Sequence, residues 1–188
     1  MELIEGLLRR RTIYSFKQEE VNSTIIDRAL DCAIMAPNHK MTEPWHFYAV
    51  KGETKEKLAQ RKKELKWEGF LDQDSERAKR AGESAYMYIV NLPWVIVVTT
   101  HRYSVDPVRE KEDYAATCCA VQNFQLAAWA EGVGTKWSTG QLVKDQKVRD
   151  ILGVGEEEEI VAVLYLGYPE DVPEQKKRNR TEIVNWLS

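Results

Sequence analysis

The chain has 188 residues, 43% of them hydrophobic and 30% charged, with a formal net charge of −3. That length suits one domain, 1–188, with a core that needs no disulfide or metal staple. The acidic balance argues against general nucleic-acid binding, and no apolar run is long enough to span a bilayer.

The N-terminus, Met1-Glu2-Leu3-Ile4-Glu5, is acidic where a secretory leader would be basic, so the chain is expected in the cytoplasm. Residues 3–10 read as a short helix ending in Arg9-Arg10-Arg11. Ser23 is placed to cap a second helix, whose apolar face is Ile25, Ile26, Ala29, Leu30, Ala33 and Ile34. Pro37 stops it, and an aromatic strand follows at 45–50. Residues 53–67 predict an exposed, charged helix and 72–84 a further polar helical segment, and 62–87 is expected to form part of a pocket lid. The continuous apolar run at 94–100 predicts a strand buried on both faces. Residues 109–131 form the strongest helix, apolar nearly all round from Ala115 to Ala130, which calls for burial in the core or against a second subunit. Gly132 is placed to end it. A helix at 144–152, a solvated acidic loop at 156–159 and a strand at 160–166 complete the order. The tail combines Pro169 and Pro173 with a basic run and the apolar Ile183, Val184, Trp186 and Leu187. It reads either as an arm on another subunit or as an edge strand. Helices on both faces of one sheet, without regular strand–helix alternation, predict an α+β sandwich.

Several chemistries are absent. There is no P-loop, G-x-S-x-G, H-E-x-x-H, C-x-x-C or complete dinucleotide fingerprint. With three histidines a metal site is not expected, and Cys32, Cys118 and Cys119 read as small buried residues in a reducing compartment.

Three segments carry more polar chemistry than a scaffold needs. Arg9-Arg10-Arg11-Thr12 offers guanidiniums and a hydroxyl suited to phosphate, although basic residues also complement a helix C-terminus. The loop at 36–47 sets Asn38, His39, Lys40 and Thr42 between prolines just before a strand. Gly132-Val133-Gly134-Thr135-Lys136-Trp137-Ser138-Thr139-Gly140 reads as a cap and turn, or as a backbone cradle open to a ligand.

In this order and spacing the segments resemble the FMN-dependent nitroreductase family over nearly the whole chain. Arg10-Arg11-Thr12 with Ser15-Phe16 resembles its opening motif. Pro37-Asn38-His39-Lys40 and Pro44-Trp45-His46-Phe47 resemble the signature of its short branch. Asn123-Phe124-Gln125 with Gly132-Val133-Gly134 resembles its central helix and exit, and Leu164-Tyr165-Leu166-Gly167-Tyr168-Pro169 its last core strand.

The resemblance implies a nitroreductase-like sandwich with a mostly antiparallel sheet. It also implies a homodimer with FMN at the subunit interface, and residues 168–188 as an arm reaching the partner. Arg10 and Thr12, with Arg11 close by, would meet the FMN phosphate and ribityl chain. Pro37, Asn38 and His39 would lie along the cofactor, and Met41 against the ring or the pocket floor. Trp137, Ser138 and Thr139 would offer donors from the partner chain, and Arg178 and Arg180 would complete the phosphate clamp. Met41 and Glu43 depart from the family's Asn and Gln, and a buried Glu43 would need a donor. The implied reaction passes a hydride from NADPH or NADH through FMN to a small-molecule acceptor, a nitroaromatic, quinone or similar electrophile, by alternating occupancy of one pocket. Other readings are a flavin-dependent dehydrogenase, dehalogenase or enone reductase, a low-turnover flavin carrier or sensor, and a basic-arm binding module.

Overall fold

The computed structural model describes residues 2–176, 181 and 183–187. Its strands are β1 (Trp45–Val50), β2 (Trp94–His101), β3 (Gly134–Ser138) and β4 (Glu158–Gly167), in the spatial order β1-β2-β4-β3 and antiparallel at each junction. Its helices are α1 (Leu3–Arg9), α2 (Ser23–Ala33), α3 (Gly52–Glu68), α4 (Glu76–Val90), α5 (Pro107–Ala130) and α6 (Gln146–Leu152).

Strand alternation sorts the apolar residues into two cores. Ile96, Val98, Ala162, Leu164 and Leu166 face α2 and α5, which supply Ile26, Ala29, Ala120, Val121 and Phe124. Val95, Val97, Val163 and Tyr165 face the other way, onto Leu58 and Leu65 of α3, Ile89 of α4 and Val148 of α6. The central strands are therefore buried on both sides, as the apolar run at 94–100 predicts. The result is an α+β sandwich of three layers.

Local signals set most boundaries. The cap of α2 is Asn22 rather than Ser23, its side chain accepting from Thr24 N at 3.0 Å. Ser75 caps α4, which runs on to Val90, well past residue 84. Asp106 caps α5, and Gly132 leaves it at φ +81, a left-handed value that glycine adopts without steric cost.

Three expectations are corrected. Residues 134–138 form a strand, because backbone pairing with β4 outweighs the turn propensity of the flanking glycines. Glu158 and Glu159 belong to β4 rather than to a solvated loop. Glu158 is only 14% exposed at its side chain and accepts from Tyr48 at 3.1 Å and from Thr99, with His46 Nδ1 at 3.2 Å. Burial alone would raise its pKa, but the Thr99, His46 and Tyr48 hydrogen bonds outweigh that and hold it below the usual value. The cysteines are not core residues either: Cys32 and Cys119 are exposed on the outward faces of α2 and α5, and Cys118 is half-buried. Among the described tail residues no strand forms, although Pro169 pairs with Phe16.

Candidate functional site

Residues 10–17 leave α1, touch the free side of β3 at Thr12 and Ile13, and go on to pair with residues 168–170 after β4. Arg11 closes the helix end, its guanidinium donating to the carbonyls of Leu8 at 2.9 Å and Arg10 at 2.6 Å. Thr12 pairs with Thr135, and Ile13 N donates to the Thr135 carbonyl at 3.0 Å. This close approach requires Gly134, where an added Cβ would lie 2.5 Å from Ile13 Cγ1. From below, Gln125 of α5 donates to the Thr135 hydroxyl at 2.7 Å, so a buried side chain locks the strand to the central helix. Further on, Lys17 N donates to the Tyr168 carbonyl and Glu170 N to that of Ser15.

Beyond Thr135 the β3 side chains alternate. Trp137 packs on the α5 side, and its indole N–H is buried without a partner among the described residues. Lys136 points to the other side, with Nζ 5.3 Å from the Tyr14 ring centre, 5.1 Å from Tyr88 and 5.8 Å from Tyr165. Burial pushes its pKa down. The Tyr88 hydroxyl is buried without a hydrogen-bond partner among the described residues, and burial raises its pKa strongly. Ser138 is half-buried and Thr139 exposed.

The loop before β1 lies elsewhere. Asn38 holds it from within, accepting from Glu43 N at 3.1 Å and donating to the Ala36 carbonyl at 3.4 Å. Lys40, Met41 and Glu43 take left-handed backbone angles, at φ 54, 53 and 43. Three non-glycine residues held that way are strained, a condition that persists only where surrounding contacts enforce it. Those contacts come from α5: Thr42 donates to Asp113 Oδ1 at 2.7 Å, and His39 Nδ1 lies 2.6 Å from Glu112 Oε2. His39 is thus engaged by a carboxylate. Pro37 is exposed, Met41 is 74% exposed, and Glu43 is exposed rather than buried, so it needs no donor for its carboxylate.

The structure therefore gathers Arg10, Arg11 and Thr12 with Trp137, Ser138 and Thr139 at one sheet edge within a single chain. Within one chain the backbone bridge at Thr12 and Thr135 ties the segment that carries Arg10 and Arg11 to the strand that carries Trp137 and Ser138. Pro37, Asn38, His39 and Met41 sit at the opposite edge, before β1 and against the start of α5. Three strand spacings of about 4.8 Å separate the outer strands, roughly 14 Å in all. Arg178 and Arg180 lie outside the described residues. Lys136 was not singled out from sequence, although strand alternation would have turned it away from Thr135 and Trp137. Among the described residues no group of His, Cys, Asp and Glu is gathered to hold a metal, and no helix is long and apolar enough to cross a membrane.

Fold and edge together define an α+β protein with a four-stranded antiparallel sheet between helical layers and a basic, hydroxyl-bearing corner along β3. The family model described as "Nitroreductase family" matches residues 7–168. The chain is 34% identical over 170 residues to "Putative NAD(P)H nitroreductase YfhC" of Bacillus subtilis, covering 90% of this chain and 85% of that one. It superimposes with a TM-score of 0.85 and 32% identity on a nitroreductase-like family protein from Bacillus cereus, covering 100% of this chain and 96% of that one. A nitroreductase from Bacteroides fragilis solved with bound FMN shares the fold at a TM-score of 0.75 and 22% identity, with full coverage of both chains. The chain belongs to the nitroreductase family, a family of oxidoreductases.

Proposed function

We propose that residues 1–188 form one FMN-binding domain of an oxidoreductase. It takes a hydride from NADPH or NADH and delivers it to a nitroaromatic, quinone or related electrophile, the two substrates alternating in one pocket. The observation that carries this reading is the Thr12–Thr135 pairing, which brings the segment of Arg10 and Arg11 to a strand flanked by polar groups that have no hydrogen-bond partner among the described residues. Those groups suit a phosphorylated, polar-edged planar cofactor. Guanidiniums match phosphate oxygens, and on the side of β3 away from α5 the Lys136 ammonium and the Tyr88 hydroxyl are polar groups that a flavin ring edge would engage. The names of the relatives and the FMN in the Bacteroides fragilis protein support the same reading.

When bound, FMN supplies the two-electron chemistry. The chain's own residues bind, orient and set the electrostatics. Arg10, Arg11 and Thr12 anchor the phosphate end, and Trp137, Ser138 and Thr139 line the ring. No side chain is assigned as general acid or base, since the transferred proton can come from solvent.

The working unit in this reading is a homodimer. Leu3 of α1 and Met35 after α2 line a groove with Leu126 and Ala127 of α5, and Ile4, Leu7 and Leu8 of the same short helix are exposed and apolar as well. A second copy on this face covers them, with the tail from residue 168 as its strap. Pro37, Asn38, His39 and Met41, remote from Arg10 in one chain, then reach the site of the other.

A visible spectrum of purified protein tests the reading. The expected result is two flavin bands that bleach on anaerobic NADPH or NADH and recover on adding an acceptor. Protein that stays colourless after reconstitution with FMN and leaves flavin fluorescence unquenched removes it.

A further inference from the structure

Asp113 of α5 is 1% exposed, and its carboxylate is only half satisfied. Oδ1 accepts from the Thr42 hydroxyl at 2.7 Å, while Oδ2 has no hydrogen-bond partner among the described residues. The Arg109 guanidinium, one turn back, stays 3.7 Å from Oδ2 and lies over the Tyr103 ring instead. Burying a carboxylate costs stability unless its oxygens are met, so an apolar side chain would suit the core better here. The loop that Asp113 holds is costly as well. Lys40, Met41 and Glu43 take left-handed backbone angles, and Pro37, His39, Lys40, Met41 and Glu43 are all exposed, so the strain covers no core. Strain of that kind persists where a particular backbone shape is used. The neighbouring His39–Glu112 contact is open to water on both sides, which leaves Thr42–Asp113 as the firmer restraint. At the other edge of the sheet α5 makes a matching connection. Gln125, 3% exposed, donates to the Thr135 hydroxyl of β3 at 2.7 Å. Asp113 and Gln125 lie about 18 Å apart along one continuous helix, and each holds a threonine of one edge.

We propose that Thr42 and Asp113 are positioning residues: their hydrogen bond sets the left-handed backbone of residues 40–43 and so presents residues 37–41 to the flavin site. Gln125 sets Thr135 and the β3 corner from the same helix, so α5 fixes the shape of both edges. The inference rests on the oxidoreductase reading above, in which Pro37, Asn38, His39 and Met41 complete the site of a second copy. Thr42 and Asp113 act through the loop rather than by touching the ligand.

The test uses Thr42→Val, which removes the hydroxyl at nearly constant shape, and Thr42→Ser, which restores it. Two amides report on the loop directly, since Thr42 N donates to the His39 carbonyl at 3.2 Å and Glu43 N to Asn38 Oδ1 at 3.1 Å. Their hydrogen exchange is followed in the full chain, and FMN affinity is read by flavin fluorescence. Arg61→Ala, on the opposite helical layer, supplies a variant destabilised away from the loop. Thr42→Val is expected to speed exchange at both amides and to raise the FMN dissociation constant about tenfold, the ratio that one lost hydrogen bond to a charged group gives. Thr42→Ser is expected within about twofold of wild type in both readouts, and Arg61→Ala to keep wild-type FMN affinity. Should Thr42→Val fail to fold, Thr42→Ala makes the same comparison. Unchanged exchange, or unchanged affinity despite faster exchange, overturns the inference. So does a loss that Thr42→Ser fails to repair or that Arg61→Ala reproduces. Wild type that binds no FMN defeats the oxidoreductase reading and takes the loop's role with it. Wild type that binds FMN beside a variant that binds it equally well defeats the inference alone.

Discussion

Arg61 is 8% exposed and sits where α3 meets the start of α6. It donates to Asp145 at 3.0 and 2.8 Å, to Glu64 at 2.8 Å and to Glu68 at 2.9 Å. Asp145 also caps α6 by accepting from Val148 N. Truncation by Arg61→Ala strands the 12%-exposed Asp145 and is expected to lower the unfolding free energy by about 3 kcal/mol in urea melts. The Arg61 hydrogen bond, opposed by burial, holds the Asp145 pKa below its usual value. Its folded pKa is therefore lower than its unfolded one. The stabilisation is present above the unfolded pKa of about 3.9 and drains away as pH falls through the folded value. Asp145→Asn keeps a capping oxygen but is expected to flatten stability against pH below about pH 4. An unchanged acid limb would show that the Arg61–Asp145 pair is not its source. At the proposed phosphate end, Arg10→Ala is expected to raise the FMN dissociation constant about tenfold or more, the effect of losing a charge-assisted contact, with little change in melting temperature. Equal affinity would remove Arg10 from that role. At this scale the sequence marks arginines, hydroxyls and caps, but not which cation meets an anion. Lys57 meets Glu53 at 2.8 Å and Lys136 meets tyrosine rings, yet they look alike in the chain, and only their neighbours separate them.

At the scale of elements, the informative departure is β3. Its residues read as a glycine-rich turn because Gly132, Gly134 and Gly140 punctuate a short segment. What makes it a strand is β4 on one side and residues 12–13 on the other, neither close in sequence. Gly134 serves close packing there rather than an unusual backbone angle. Gly134→Ala puts a methyl against Ile13 and Pro169 and is expected to cost about 1–3 kcal/mol in unfolding free energy. It should also weaken FMN binding, since it pries residues 10–13 from the strand; a variant with unchanged stability and affinity would show that the edge pairing yields freely. The helices were more legible. The apolar face of α2 is periodic and α5 is apolar nearly all round, each within one segment, so both stand where the sequence puts them. The 36–47 loop was legible as unusual through its prolines and polar density. Its left-handed Lys40, Met41 and Glu43 were not, because the force that holds them comes from Glu112 and Asp113, some seventy residues on.

Across the whole molecule, the apolar side chains left uncovered on α1 and after α2 argue for the proposed dimer. The tail offers a direct test. Pro169 and Glu170 pair with Phe16 and Ser15, so a chain ending after Val172 keeps those contacts. Ile183, Trp186 and Leu187 are exposed and would be lost. Light scattering should then show a shift toward monomer, together with weaker flavin retention. An intact, flavin-loaded dimer would assign the tail no part in assembly.

By itself the sequence determined the fold class, the double-sided burial of the central strands, the long apolar helix and the three segments rich in site chemistry. Each of these is written in short-range periodicity or local composition, which hydrophobic burial and helix capping read within a few residues. Only the tertiary structure decided that Arg10–Thr12 lies against β3 while the 37–41 loop sits at the opposite edge, that Glu158 is a buried acceptor, and that Lys136 stands among tyrosines with no carboxylate partner among the described residues. Strand pairing and charge compensation join residues far apart in the chain, and their energies depend on distance in space rather than on order in sequence.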